Sequence, residues 1–284
     1  MQRFFYIFSN GILIRFALLF SLLAGTYKGM ALQPNLVKAG FGVEFTDATF
    51  FTSYPFLAKS PFFSVGIEGD VQFVLANKKM IASSVYSYKR HSFAGEYKYE
   101  GSAIFNTQKA RLIYVHHFSH AFILSFSTAY QWHNQLENRP SESVLNLALG
   151  LSYSISPKIY IYSQFANPIY VRSYDSRKRN KEFVIEGGLL YKITKSLALS
   201  LRMSKDPMYP IHIECGVAYQ LGKSFLLSAS SGLQPFQNKI GFNYCRSSFS
   251  LGFEFMYQIP LGYASSFFVS WRLIPKKERS EGAK

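Results

Sequence analysis

Residues 143–155 read Ser-Val-Leu-Asn-Leu-Ala-Leu-Gly-Leu-Ser-Tyr-Ser-Ile. From Leu145 to Ile155 every second side chain is large and apolar, and the side chains between them are small or polar. This period of two belongs to a β-strand, whose successive side chains point to opposite faces, whereas a helical pattern repeats every 3.6 residues. A strand of this length with one apolar face is typical of a β-barrel that crosses a membrane.

Residues 64–73 and 249–258 alternate in the same way. In the first of these, Glu68 and Asp70 fall opposite the apolar side chains, whereas a helix would place them beside the apolar stripe. Breaks at glycine, proline, asparagine and charge clusters separate further runs of this kind. The predicted strands, about fourteen, are 62–76, 79–89, 92–101, 107–117, 120–133, 142–155, 158–167, 180–193, 195–205, 210–220, 223–232, 236–246, 248–258 and 263–273. The sequence therefore predicts an all-β protein, a transmembrane antiparallel up-and-down β-barrel with an N-terminal plug segment.

The connections between the predicted strands alternate in length. Tight joints, as at Ser156-Pro157 and Arg246-Ser247, alternate with mostly longer ones, as at 134–141 and 168–179. Bacterial barrels have short periplasmic turns and longer outer loops. With an even number of strands, we expect a barrel in the bacterial outer membrane with both termini in the periplasm.

Composition supports a barrel over a bundle of membrane helices. Aromatic residues make up 18% of the chain, and such side chains favour strands. The mean hydropathy of +0.02 is too low for several spanning helices but suits strands with one apolar face. The net charge of +15 is compatible with nucleic acid, but no nucleic-acid motif accompanies it. We instead expect the basic residues to contact outer-membrane lipid and lipopolysaccharide.

The ends of the chain differ from the barrel. Residues 1–31 have basic residues, an apolar run and small residues before a predicted cleavage site, and so indicate a signal peptide. A membrane anchor is the alternative, but the run at 16–24 is short for a bilayer. Residues 32–61 are irregular yet apolar, which predicts a plug shielded inside the barrel 62–273. Residues 274–284 form a charged tail that we expect in the periplasm.

The face opposite the apolar one must look into the lumen. Its charged residues are predicted to be Glu68, Asp70, Arg111, Glu186, Arg202, Glu214, Glu254 and Arg272. Because acids and bases both occur there, a filled or narrow lumen is favoured over an ion filter of one sign. The same alternation turns Cys215 towards lipid and Cys245 towards the lumen or its periplasmic rim, on strands too far apart for a disulfide.

Four short stretches carry a family resemblance. They are Ala39-Gly40-Phe41-Gly42-Val43 with Thr46-Asp47, then Ala166-Asn167-Pro168 at the end of a middle strand, Gly232-Leu233-Gln234-Pro235 with Ile240-Gly241-Phe242, and Pro260-Leu261-Gly262. With these the chain resembles the Bacteroidetes barrel proteins grouped with PorV and PorQ of type IX secretion, themselves similar to FadL-type fatty-acid transporters. Where FadL-like hatches carry Asn-Pro-Ala, this chain has Ser53, Tyr54, Pro55 and Phe56, which we assign to the plug.

Candidate chemistry is sparse. His116 and His117 would face opposite ways on a strand, so a metal site with His120 is not expected. The sequence has no metal, nucleotide or hydrolase motif, and no serine stands out as a nucleophile. We therefore expect no catalytic residues, no metal and no cofactor.

Three functions remain open. The first is a passive channel for a small hydrophobic solute, closed by the plug, which an apolar pocket between plug and wall would favour. The second is a non-transporting scaffold of a type IX-like secretion system, with secretion proteins as partners, which a lumen packed with paired charges would favour. The third is a lipid-modifying enzyme, which a converging Ser-His pair near the outer rim would favour.

Overall fold

A computed structural model describes residues 48–54, 63–72, 78–101, 105–135, 142–172, 183–205, 210–233, 236–246, 248–259 and 262–273. Within these residues the chain forms a short helix and fourteen strands. The helix is α1 (Ala48–Ser53); the strands are β1 (Phe63–Gln72), β2 (Lys78–Tyr88), β3 (His91–Gly101), β4 (Phe105–His117), β5 (Phe122–Gln135), β6 (Glu142–Ser156), β7 (Ile159–Arg172), β8 (Val184–Lys192), β9 (Leu197–Lys205), β10 (His212–Leu221), β11 (Phe225–Leu233), β12 (Gln237–Arg246), β13 (Phe249–Gln258) and β14 (Gly262–Leu273).

The strands form one closed antiparallel barrel. Each strand pairs with its neighbours along the chain, and β1 closes against β14 from Phe63 opposite Leu273 to Gln72 opposite Ala264. Closure leaves no unpaired sheet edge, which lipid could not satisfy. The predicted barrel and its strand number are confirmed. The predicted signal peptide, the tail and most of the plug lie outside the described residues.

One predicted strand end is wrong. The Ala166-Asn167-Pro168 stretch was expected to end a strand, but β7 continues through it to Arg172. The ladder between β7 and β8 stops where Ala166 faces Val184, so among the residues that the structure describes Pro168 is paired with β6 alone, opposite Asn146. A proline lacks the N–H donor but is tolerated where one side of its strand is unpaired.

The two ends of the barrel differ. At one end, here called the turn end, lie the short connections 89–90, 118–121, 157–158, 193–196, 222–224 and 247–248, together with Phe63 and Leu273. Hydroxyls close two of these turns: Ser119 Oγ accepts the Phe122 N–H at 3.0 Å, and Thr194 Oγ1 accepts the Leu197 N–H at 3.0 Å. The opposite ends of the strands, among them Gln72, Lys78, Gln135 and Glu142, form the other end of the barrel, the loop end.

The outer wall is apolar. Leu112, Leu149 and Ile240 are 67%, 45% and 67% exposed on it. Aromatic contacts concentrate towards both ends, with Phe249–Trp271 and His116–Phe118 at the turn end and Tyr130–Trp132 and Tyr257–Tyr263 at the loop end. An apolar band between two aromatic girdles is the surface of a barrel that sits in lipid. No helix in the described part of the chain is long and apolar enough to cross a membrane.

Candidate functional site

The lumen contains the charged residues that alternation placed there. Glu68, Asp70, Arg202, Glu214, Glu254 and Arg272 are buried, and Arg111 and Glu186 are half-buried. Each alternates with residues of the outer wall, so all eight lie on the inner face. The structure gathers several of them into separate groups, and sequence spacing alone does not specify which residues meet.

The helix α1 lies inside the barrel against the wall formed by β1, β2, β3 and β14. Its Ala48 and Phe51 are buried in an apolar cluster whose other members are Val85, Ala94, Ile113, Val115 and Ile123. These wall residues belong to the turn-side half of the lumen. Apolar side chains occur on the inner face here because α1 covers them, and burying them stabilises its position by roughly 25 cal/mol per Å² of apolar surface removed from water.

Polar contacts hold the C-terminal end of α1 across the lumen. Arg111 on β4 donates from Nη1 to the carbonyl oxygen of Thr52 at 2.7 Å and from Nη2 to Ser127 Oγ at 3.1 Å. On the opposite wall the buried ring of Tyr54 packs edge-on against Tyr162, with ring centroids 6.2 Å apart. Of the four residues assigned to the plug, Ser53 and Tyr54 therefore lie in the lumen, and Pro55 and Phe56 lie outside the described residues.

A network of ionic and hydrogen bonds lines the wall from β7 to β12. Glu214 accepts from Ser230 Oγ at 2.7 Å, Lys239 Nζ at 3.0 Å and Arg202 Nη1 at 3.3 Å. The other terminal nitrogen of Arg202 donates to Glu186 at 3.0 Å, and Glu186 also accepts from the Tyr162 hydroxyl at 3.0 Å. Because these buried charges are paired, two acids with two bases, this wall is a polar lining without net charge.

A smaller group lies across the lumen on β1 and β2. Lys79 Nζ donates to Glu68 Oε1 at 3.1 Å and also pairs with Asp70. All three side chains are buried. Two carboxylates around one ammonium group leave this corner without surplus positive charge.

A cavity of about 360 Å³ occupies the loop-side half of the lumen. Ser53 and Tyr54 line it at the end of α1, and the inner faces of strands β2 to β8 form its wall. Its apolar lining comes from Ile81, Ala129, Ala148, Ala166 and Val184; its charged lining comes from Lys79, Glu96, Lys98, Lys109, Arg111 and Glu186. The cavity can therefore hold a small molecule that has both an apolar body and a polar group.

Sequence reasoning missed several charged residues of this cavity. Glu96 and Lys98 alternate with Phe93, Tyr97 and Tyr99 on β3, so the same period-two signal was present. On β4 the pattern is weaker, because the inner face carries both Lys109 and the apolar residues that pack against α1. Mixed polarity on one face hides a strand's orientation when only the sequence is read.

The described histidines contact neighbouring polar and aromatic side chains. His116 lies on the outer wall beside His91, with the two Nδ1 atoms 3.4 Å apart and the Tyr114 hydroxyl 2.8 Å from His91 Nδ1. At the loop end Thr107 Oγ1 lies 2.9 Å from His133 Nδ1, a contact that ties β4 to β5. Among the described residues no group of three or more histidine, cysteine or acidic side chains is placed to hold a metal ion.

No protein-family model matches the chain, and no curated protein matches it in sequence. Solved structures are similar in fold. The Pseudomonas putida toluene transporter TodX aligns with a TM-score of 0.56 at 8% identity over 88% of this chain and 94% of that one. The Ralstonia pickettii toluene transporter TbuX gives 0.53 at 9% identity over 88% and 96%. The CymD monoaromatic hydrocarbon channel gives 0.53 at 10% identity over 86% and 94%. The chain thus shares the barrel fold of outer-membrane channels.

Proposed function

We propose that this chain is a passive channel of the bacterial outer membrane for a small solute with a hydrophobic body. The observation that carries the proposal is the loop-side cavity, which lies inside a closed barrel and has the end of α1 as part of its lining. A lumen cavity beside a segment of the chain's own N-terminal part is what a gated route for a small molecule requires.

The outer wall supports the membrane assignment. Its apolar band and two aromatic girdles match the lipid-facing surface of outer-membrane barrels. Bacterial barrels have short periplasmic turns and longer outer loops. We therefore assign the turn end and both barrel termini to the periplasm, and the loop end to the outside of the cell. The fold shared with TodX, TbuX and CymD supports the same location.

The lining of the cavity indicates the kind of solute. TodX and TbuX are toluene transporters and CymD is a monoaromatic hydrocarbon channel, so their solutes are wholly apolar. Here alanine, valine and isoleucine side chains share the lining with lysine, glutamate and glutamine. We therefore assign this chain a solute whose body is hydrophobic and which also carries a polar group.

The segment around α1 is assigned the role of the plug. Phe51 packs into the wall at the turn side, and Arg111 holds the carbonyl of Thr52 from the β4 wall. Solute that enters from the loop end meets Ser53 and Tyr54 before it reaches the turn end. Passage therefore requires this segment to move away from the wall.

The channel function is tested by filling the cavity. Intact Gram-negative cells that express the full chain should admit N-phenyl-1-naphthylamine, an uncharged apolar dye that lipopolysaccharide excludes, faster than cells without it. Ala148→Trp, on the inner face, should return dye entry to the background rate. Leu149→Trp, the next residue on the same strand but on the outer wall, is the matched control and should leave entry unchanged. Equal dye entry with Ala148→Trp and with the unaltered chain would rule out the lumen as the route.

A second candidate function is a non-transporting scaffold, such as an accessory barrel of a type IX-like secretion system. The paired charges around Glu214 and Arg202 and the packed turn-side cluster favour it, because both fill the lumen. A scaffold predicts that dye entry equals the background rate whether or not residue 148 is changed. The lipid-modifying enzyme has weaker support, since the solved structures of similar fold named above are transporters and a channel.

A further inference from the structure

Two lysines oppose each other inside the cavity. Lys98 on β3 and Lys109 on β4 are direct cross-strand partners, and both line the loop-side cavity. Like charges directly opposite each other on one face of a sheet are destabilising. This arrangement is therefore unfavourable unless nearby negative charges offset it.

The nearby acids are already engaged. Glu100 pairs with Lys98, and Glu96 lies directly opposite Arg111 in the strand pair. Across the cavity, Glu186 accepts from Arg202. Lys109 makes no hydrogen bond or ion pair with any residue that the structure describes. Among the described charged side chains that line this cavity, Lys109 is therefore the one that makes no hydrogen bond or ion pair, and it faces the cavity.

The surroundings of Lys109 favour an anion with an organic body. Its other cross-strand neighbour is Gln131 on β5, a neutral side chain that also lines the cavity. Beyond it the wall is formed by small apolar residues such as Ala129 and Ala148. A carboxylate between the two lysines would satisfy both ammonium groups, and an apolar body would then lie against the alanines.

We propose that Lys109, with Lys98 opposite it, binds the carboxylate of a compact organic anion in the loop-side cavity. This proposal rests on the proposed channel function, since it identifies the polar group of the solute as a carboxylate. Binding itself does not require passage through the barrel. The two can therefore be tested separately.

The test is equilibrium binding to the purified full chain in an uncharged detergent at neutral pH, with isothermal titration calorimetry as the readout. The probes are benzoate, benzyl alcohol and inorganic phosphate. Benzoate should bind about tenfold more tightly than benzyl alcohol, because a hydrogen-bonded charge is lost in the alcohol. Phosphate should bind more weakly than benzoate, because it has no apolar body. Phosphate binding as tight as that of benzoate would overturn the claim of an organic ligand.

Variants assign the preference to the site. Lys109→Gln should abolish the preference for benzoate over benzyl alcohol, Lys98→Gln should weaken it, and Lys109→Arg should keep it. Lys158→Gln removes the same charge from a turn outside the cavity and should change nothing. Because Lys109→Gln relieves an opposed pair of like charges, it should fold at least as well as the unaltered chain, which heat-dependent gel migration checks. A benzoate preference that survives Lys109→Gln would overturn the proposal.

Failure of the site and failure of the channel give different results. If Ala148→Trp blocks dye entry but benzoate has no preference over benzyl alcohol, the channel stands and the anion site is wrong. If Lys109→Gln abolishes the benzoate preference but Ala148→Trp leaves dye entry unchanged, the site stands and the channel is wrong.

Discussion

Arg111 on β4 donates a hydrogen bond from Nη1 to the backbone carbonyl oxygen of Thr52, which lies 59 residues earlier in the chain, at 2.7 Å. The contact joins the barrel wall to the C-terminal end of α1. Because the acceptor is a main-chain carbonyl, substitution at Thr52 would leave the acceptor in place. The contact is therefore removed by a substitution at Arg111 and not by one at Thr52.

Replacing Arg111 should weaken the attachment of α1 to the barrel wall. Arg111→Gln removes a charge-assisted hydrogen bond worth about 1.5–3 kcal/mol, so the population of the displaced state should rise by roughly ten- to a hundredfold. We expect higher mean conductance in planar bilayers. Arg246→Gln, at the exposed turn end of β12, is the control and should behave like the unaltered chain. Unchanged conductance in Arg111→Gln would show that this contact does not hold the lumen closed.

A charged side chain on the outer wall should destabilise the barrel more the closer it lies to the middle of the bilayer. Leu149 lies near the middle of β6 with its side chain outward, so Leu149→Arg should cost about 2–4 kcal/mol if that position is at the bilayer midplane. Ile155→Arg lies on the same face near the turn end and should cost about 0–1 kcal/mol. Urea unfolding of the barrel in lipid vesicles measures both. Equal costs at the two positions would contradict the assigned position of the lipid.

The inward neighbour Gly150 provides the opposite case. Its position is buried, and its carbonyl accepts from Ser125 Oγ at 3.2 Å. Gly150→Arg should therefore be penalised by crowding in the lumen rather than by lipid, and its cost should not depend on bilayer thickness. The cost of Leu149→Arg should increase in thicker bilayers. A cost that depends on bilayer thickness for Gly150→Arg but not for Leu149→Arg would mean that residue 150, and not residue 149, faces lipid.

Glu214 should be the most sensitive of the lumen acids. Glu214→Gln leaves Lys239 and part of Arg202 without a carboxylate, and breaking a buried pair in this way costs about 3–5 kcal/mol. The double variant Glu214→Gln with Lys239→Met should recover part of that loss, because the uncompensated ammonium group is gone. A double-mutant cycle from urea unfolding measures the coupling. Strict additivity would mean that the two side chains are not coupled.

The cysteines should remain free and differ in accessibility. Cys215 is exposed on the outer wall, and Cys245 is buried against Leu190, Ala198, Ala218 and Leu226. In detergent an apolar maleimide should label Cys215, whereas Cys245 should react only after boiling. Cys215→Ser and Cys245→Ser assign each adduct by mass. Rapid labelling of Cys245 in the folded barrel would contradict the packing of this cluster.

This cluster also shows how far alternation could be used. The sequence places Cys245 on the inner face, because it shares its face of the strand with Gly241 and Asn243, whereas Phe242 lies on the other face. That would suggest a thiol facing water in the lumen. The structure instead packs it among side chains from β8 to β11, because the turn-side half of this wall is filled. The face on which a side chain lies follows from the pattern of its own strand, but its access to solvent depends on the side chains of the neighbouring strands.

The sequence by itself determined the fold class, the strand number and the face of each predicted lumen charge. The alternation of apolar and polar residues is a local property of each strand, and in a closed barrel its two faces become the lumen side and the lipid side. It did not determine which charges meet. The pairing of Glu214 with Lys239, the opposition of Lys98 and Lys109, and the bond from Arg111 to the C-terminal end of α1 each depend on register or on the position of a distant segment inside the lumen. Only the tertiary structure decides these contacts, because strand register and lumen filling are set by packing across the whole barrel rather than by any one strand.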